Sequence, residues 1–100
     1  MQPKDNTDKV KEDTKYIDTV EVDIAGKKVV FGLIDAKGRH MNQVQQILAD
    51  DPSRYFSSFA HVCVRRVSDN KKLPLEYYED MSATEYLKIG AMLNKAGFTQ

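Results

Sequence analysis

Three side chains in the sequence have the chemistry for metal binding or nucleophilic catalysis: His40, His61 and Cys63. A zinc site in a protein takes three or four ligands, mostly His, Cys or carboxylate. His61 and Cys63 are two residues apart, so on a helix they point to different faces and His61 cannot activate the thiol. The sequence therefore predicts no metal site and no reactive cysteine, with Cys63 as a small core residue and His61 on the surface.

A second group with catalytic chemistry is acidic, because Glu76, Glu79 and Asp80 stand beside Tyr77 and Tyr78. Paired carboxylates can act as general acid and base. Charged clusters more often form a solvated face, which is our expectation here. The same mixture of acids and tyrosines is also typical of the rim of a protein interface. Neither alternative provides a catalytic centre, and we predict a non-enzymatic protein without a cofactor.

Basic residues form two short groups, Lys27 with Lys28 and four residues within 65–72. These groups could make a basic patch, but they accompany neither an aromatic RNA-binding signature nor a convincing recognition helix. Lys plus Arg and Asp plus Glu both number 15, so the formal net charge is zero. Nucleic-acid-binding proteins usually have a basic excess or a basic face. We therefore predict protein partners, including self-association, and no nucleic-acid partner.

The length of 100 residues accommodates one domain. Residues 1–16 contain few apolar side chains and alternate in charge, which predicts a disordered tail before a single α+β domain over residues 17–98. The lone Cys63 favours a reducing compartment. No apolar run approaches the roughly 20 residues needed to span a bilayer, and the first residues lack the apolar segment of a signal peptide. A cytoplasmic protein is expected.

The elements that would position these side chains begin with a β-hairpin. Val20, Val22 and Ile24 alternate with polar residues, at the period of a half-buried strand. Gly26 is suited to the tight turn that follows, and a more apolar second strand runs to residue 34. Gly32 within that strand indicates a bulge or a close backbone approach. A two-stranded hairpin is marginal alone, so it must pack on helices or gain strands from another copy.

Two helices are predicted in the middle of the chain. The first begins at about Arg39, and its apolar residues share one face: Met41, Val44, Ile47 and Leu48. Asp51 and Pro52 then supply a cap and a first position for the second helix. Its apolar residues recur at helical spacing: Tyr55, Phe56, Phe59, Val62, Cys63 and Val67. A late strand within residues 59–67 is the alternative, since β-branched residues are frequent there. A short helix is predicted after Pro74.

The C-terminal helix has both ends specified. Ser82 and Glu85 have the spacing of a capping box, and Gly97 can adopt the left-handed conformation that ends a helix. Apolar residues flank these caps in pairs: Met81 with Tyr86, and Phe98 with Leu93. Between the caps the apolar arc is wider than a surface helix needs. The helix therefore lies deep in the core or contacts something outside the domain.

The order of elements resembles the tail assembly chaperones of long-tailed bacteriophages, small proteins that coat the tape measure protein before the tail tube polymerises. Residues 20–31 look like their opening hairpin, and residues 72–87 are similar to their closing pattern of polar turn, short acidic helix and final helix. The resemblance covers about residues 17–98. The charged N-terminal segment does not map onto the family pattern. The fold implied is an N-terminal β-hairpin packed on three or four helices.

The resemblance implies a host-cytoplasmic protein that binds the helical tape measure protein through apolar surface. It also implies the tail tube protein as a further partner, and a homo-oligomer in some members. Residues that we expect at the partner surface combine tyrosines of the acidic cluster with apolar residues of the last helix: Tyr77, Tyr78, Met81, Tyr86, Ile89, Met92, Leu93 and Phe98. Two alternatives stay open. One is a structural subunit of a virion or other ring, whose hairpin extends a neighbour's sheet. The other is a small nucleic-acid-binding regulator.

Overall fold

The computed structural model describes residues 15–98 as an α+β fold, which confirms the predicted class. The described elements follow one another along the chain: β1 (Tyr16–Ile24), β2 (Lys27–Ile34), α1 (Gly38–Asp50), a 3₁₀ turn (Pro52–Arg54), α2 (Tyr55–Cys63), β3 (Val64–Arg66), α3 (Leu75–Glu79) and α4 (Ala83–Lys95). The tail predicted over residues 1–16 lies, except for its last two residues, outside the described residues. Tyr16 already belongs to β1.

The strands form an antiparallel sheet in the order β1-β2-β3. The predicted hairpin is confirmed, with Val20 opposite Phe31 and Val22 opposite Val29. The helix predicted to continue as far as Val67 is wrong in its last part. It ends at Cys63, and Val64 turns into the sheet opposite Leu33. Pairing with β2 gives this β-branched stretch backbone partners that a single-sequence pattern does not reveal.

The hairpin turn contains one more left-handed residue than the sequence predicts. Ala25 has φ 53° and Gly26 has φ 82°, so both central residues are left-handed, as a type I′ turn requires. The sequence predicted this conformation at Gly26 only. An alanine in the left-handed region carries a steric cost of about 1–2 kcal/mol.

Replacing Ala25 with Asn is expected to raise the free energy of unfolding by about 0.5–1 kcal/mol, because Asn-Gly is the preferred type I′ pair. Chemical denaturation measures the change as a shift of the unfolding midpoint with an unchanged m-value. Gly26→Ala is the matched control and should lower stability, since it places a second alanine in the left-handed region. An Ala25→Asn variant no more stable than the parent, together with a harmless Gly26→Ala, would contradict the turn assignment.

Gly32 provides a close approach, as its position within β2 predicted. The aromatic ring of Tyr16 lies against Gly32 where a Cβ would otherwise project. The Tyr16 hydroxyl donates a hydrogen bond of 2.6 Å to Asn70 Oδ1 in the turn after β3. The ring thus covers the glycine and ties the start of β1 to the far side of the sheet.

The caps of α4 are confirmed in part. The Ser82 hydroxyl accepts a hydrogen bond from the Glu85 N–H at 3.4 Å. At the other end Gly97 has φ 90°, and the Phe98 N–H donates to the Leu93 carbonyl at 3.1 Å, as in a Schellman motif. The reciprocal half of the capping box is wrong, because the Glu85 carboxylate accepts from the Asp23 N–H at 2.9 Å instead. The first turn of α4 is thereby fastened to β1.

The core lies between the inner face of the sheet and the helices. Its fully buried large residues come from every layer: Val22, Phe31, Leu33, Val44, Val62, Tyr78, Ile89 and Leu93. Asp51 caps the 3₁₀ turn through a 3.1 Å hydrogen bond from the Ser53 N–H, which confirms its predicted capping role. The apolar faces predicted for the middle helices thus meet one common core.

Candidate functional site

Four of the predicted partner-binding residues lie in the core. Tyr78, Ile89, Met92 and Leu93 are all buried, so they offer no surface to a partner in this conformation. The wide apolar arc of α4 has a simple cause, since the helix packs against β1 and β2 and also against α2. A helix covered by two neighbours needs a wider apolar face than one covered by a single neighbour. The sequence left two explanations for the wide arc, burial in the core and contact with a partner. Burial in the core accounts for it.

The other four predicted residues divide between two places. Tyr77 and Met81 line a cleft of about 430 Å³ beside the hairpin turn, together with Ile24 and Ala25. Tyr77 packs there on Phe31, with ring centroids 6.1 Å apart. Tyr86 and Phe98 lie at the junction of α2 and α4. The structure therefore does not bring the predicted residues together into one site.

The junction of α2 and α4 is built from aromatic pairs. Phe56 meets Tyr86 edge to face at 5.4 Å. Phe59 stacks on Phe98 at 6.0 Å and meets Tyr55 edge to face at 5.2 Å. Such pairs stabilise packing beyond the area they bury, by about 0.5–1.5 kcal/mol each. They hold the two helices in one fixed relation.

Beside this junction two large apolar side chains are exposed. Leu87 is 63% exposed and Tyr55 is 48% exposed. Leu87 lies on α4 three residues before Gly90, against which the Phe56 ring packs. We call Tyr55, Phe56, Tyr86 and Leu87 the α2–α4 surface. It combines exposed apolar area with rigid aromatic support, which is typical of a surface that contacts another protein.

The residues predicted to bind a partner do not include Tyr55 or Leu87. The signal for Leu87 was present, since it lies on the side of α4 opposite Ile89 and Leu93. The sequence places Leu87 and Ala91 together on that side, but it does not show which side of α4 the neighbouring elements cover. Tyr55 followed the helical spacing of core residues, and only the tertiary packing shows that its ring extends past Phe59 to the surface.

The acidic cluster holds two elements together. Arg54 Nε lies 3.1 Å from Glu79 Oε2, and Arg54 Nη2 lies 3.2 Å from Glu76 Oε2. The Ser57 hydroxyl also donates to Glu79 at 2.6 Å. The backbone N–H of Glu76 and the Arg54 guanidinium lower the pKa of the Glu76 carboxyl. Glu76, Glu79 and Asp80 are exposed, as predicted for a solvated face, and the ion pairs of Glu76 and Glu79 also fasten α3 to the 3₁₀ turn.

Cys63 and His61 have structural positions. Cys63 is fully buried, and burial raises the pKa of its thiol to about 11. The thiol is therefore protonated at neutral pH. His61 is half-buried rather than on the surface, because its Nδ1 lies 2.6 Å from the Leu73 carbonyl and donates to it. Over residues 15–98, no three His, Cys, Asp or Glu side chains are grouped so that they could hold a metal ion.

The outer edge of β1 is closed in part by carboxylates. A two-residue turn makes Ile24 and Lys27 a hydrogen-bonded pair, so the N–H groups of Thr19, Glu21 and Asp23 face outward. Asp23 donates to Glu85, and Thr19 donates to the Asp18 carboxylate at 2.8 Å.

The opposite edge is closed by the chain itself. There β3 is three residues long, and Arg66 pairs back onto Lys71 through hydrogen bonds of 3.0 and 3.3 Å. Covered or very short edge strands resist pairing with another chain. In the described part of the chain, an incoming strand would have to displace these contacts at either edge.

Comparisons with protein families, curated proteins and solved structures found no match for this chain. Within residues 15–98, no helix has both the length and the apolar character needed to cross a membrane.

Proposed function

We propose that this chain is a non-enzymatic tail assembly chaperone that holds an amphipathic helix of a phage tape measure protein on the α2–α4 surface. The observation that carries the proposal is the exposure of Leu87 and Tyr55 on two helices locked by aromatic packing. The order of hairpin, helices and capped last helix supports it through the family resemblance. The tail tube protein as second partner and a homo-oligomeric state belong to the same proposal.

A helical partner suits this surface for geometric reasons. Ala83, Leu87 and Ala91 are exposed at spacings of four along α4, so they form a shallow apolar stripe. Tyr86 precedes Leu87 on α4, and Tyr55 precedes Phe56, which packs on Tyr86. Both tyrosines are large side chains with few rotatable bonds. An amphipathic helix that places its own apolar face on such a stripe uses the helix-in-groove mode of recognition.

The alternative of a ring subunit that assembles by strand addition receives less support. Glu85 and Asp18 occupy two of the outward donors of β1, those of Asp23 and Thr19, and the turn after β3 covers the other edge. A hairpin that extends a neighbour's sheet needs at least one of these edges open. Association through helices uses neither edge and stays compatible with the fold.

Leu87→Glu is expected to leave the protein folded and to weaken binding of the tape measure protein about thirtyfold, the effect of losing roughly 2 kcal/mol at an interface hot spot. The exposed position tolerates the charge, whereas an apolar partner surface does not. Pull-down of the tape measure protein encoded in the same genome, followed by a titration with its helical segment, measures the loss.

Gln45→Glu is the matched control, because it adds the same charge at an exposed position of α1 rather than on the stripe along α4. It should bind like the parent chain. Met92→Glu provides the opposite control, since a charge at a buried position should abolish folding. Equal binding by the parent and by a folded Leu87→Glu, Tyr55→Glu double variant would rule out this surface as the binding site.

A further inference from the structure

Four cationic side chains gather around His40 from different parts of the chain. Lys37 and Arg39 flank the start of α1, Arg65 comes from β3, and Lys72 comes from the following loop. His40 Nδ1 accepts a 2.8 Å hydrogen bond from the Lys37 N–H. We call Lys37, Arg39, Arg65 and Lys72 the basic patch.

The position of Lys72 follows from a contact with α1. Its ammonium lies 3.3 Å from Gln43 Oε1, one turn along the helix from Arg39 and His40. Burial and then the charges of Arg39, Arg65, Lys72 and Lys37 lower the pKa of His40. The patch is therefore one electrostatic environment.

The patch is largely unneutralised. Lys37 Nζ lies 3.2 Å from Asp35 Oδ2, and Nη2 of the neighbouring Arg66 lies 2.7 Å from Asp69 Oδ2. Within residues 15–98, no carboxylate forms an ion pair with Arg39, Arg65 or Lys72. The first turn of α1 also has no acidic residue. In a chain with zero formal net charge, this concentration of positive charge is local.

Arg65 is the anchored member of the patch. Its Nη1 donates to the carbonyls of Val62 and Val64 at 2.8 and 3.2 Å, which fixes the plane of the guanidinium. Its Nε and Nη2 have no partner within residues 15–98. A guanidinium with two free donors in a fixed plane matches the oxygens of a phosphate group. Arg39 and Lys72 are exposed and act on His40 together with Arg65, so they can contribute charge to the same anion.

We propose that the basic patch binds a phosphate group, a role that goes beyond the proposed chaperone function and does not depend on it. The same chemistry is offered by a small phosphate compound and by a nucleic-acid backbone. Three cations without a carboxylate partner among the described residues, Arg39, Arg65 and Lys72, can bind either source through charge-assisted hydrogen bonds. A backbone contact of this size would be weak and salt-sensitive, with affinity falling roughly as the second or third power of salt concentration.

His40 reports directly on the site. A bound anion stabilises the protonated imidazole, so the pKa of His40 should rise when phosphate occupies the patch. We expect NMR titration of His40 at low salt to show this rise with pyrophosphate, with a thymidine oligonucleotide, or with both. A response to the oligonucleotide alone identifies a nucleic-acid backbone as the source. A response to pyrophosphate identifies a small phosphate compound as sufficient.

The deciding comparison uses two matched double variants. Arg39→Gln with Lys72→Gln should weaken binding at least tenfold, and it should fold normally because it relieves repulsion around His40. Lys27→Gln with Lys28→Gln removes the same charge from the exposed hairpin and should bind like the parent. The proposal is overturned if neither pyrophosphate nor the oligonucleotide shifts the pKa of His40 at a probe concentration of about 10 mM and low salt. It is also overturned if both double variants lose affinity equally.

Discussion

Gly90→Ala is expected to lower the free energy of unfolding by about 1–3 kcal/mol, the usual cost of overpacking a filled site. The ring of Phe56 occupies the space where the new Cβ would project from α4. Intrinsic helix propensity favours alanine by about 1 kcal/mol, so the steric term decides the sign. Denaturant unfolding followed by circular dichroism measures the change.

Gly38→Ala is the matched control, because the same substitution meets open space at the start of α1. It should leave stability unchanged or raise it by up to about 1 kcal/mol. A double-mutant cycle with Phe56→Ala isolates the contact, since Gly90→Ala should cost little once the ring is gone. A fully tolerated Gly90→Ala in the parent background would show that Phe56 does not fill this space.

Tyr78→Phe is expected to raise the free energy of unfolding by about 1–2 kcal/mol, although the substitution removes a polar group. Tyr78 is fully buried, and its hydroxyl has no hydrogen-bond partner among residues 15–98. An unpaired buried hydroxyl keeps its desolvation cost and gains nothing in return. The phenylalanine ring retains the contact with Phe31, whose ring centroid lies 6.0 Å away.

The same substitution should change the response to alkaline pH. Burial raises the pKa of the Tyr78 hydroxyl above its usual value. Because the buried hydroxyl resists ionisation in the folded state, the unfolded chain loses this proton first, and the fold loses stability as pH rises above about 10. Tyr78→Phe should therefore lose less stability than the parent between neutral and strongly alkaline pH.

Tyr16→Phe is the control for the stability measurement, because its hydroxyl has a hydrogen bond to Asn70. Its stability should fall by about 0.5–1.5 kcal/mol. Destabilisation by Tyr78→Phe of similar size would mean that the Tyr78 hydroxyl is satisfied after all.

Local sequence rules predicted much of this fold. The alternation of Val20, Val22 and Ile24 gave the hairpin, and Ser82 and Gly97 gave the ends of α4. These signals act within a few residues. The strand β3 was predicted only as the alternative to a longer helix, because its pairing with Leu33 joins residues far apart in sequence. The Glu85 side chain was misassigned for the same reason, since its partner Asp23 lies on another element.

The surfaces were harder to predict than the elements. Hydrophobicity marks Ile89 and Leu87 alike, yet one is fully buried and the other is 63% exposed. The difference depends on which neighbours α4 has, and a single helix pattern cannot supply them. The basic patch shows the same limit, because Arg39 and Arg65 are separated in sequence and come within electrostatic reach of His40 only in the folded chain.

The closed sheet edges have a consequence for colloidal behaviour. A protein with zero formal net charge has little long-range repulsion to keep its copies apart. Fibril nucleation would first require release of Asp23 from Glu85 or of Arg66 from Lys71. Breaking these contacts is a kinetic barrier that precedes the pairing of any strand with another copy of the chain. The chain therefore replaces electrostatic repulsion with a local barrier to nucleation, and it should tolerate high concentration near its isoelectric point.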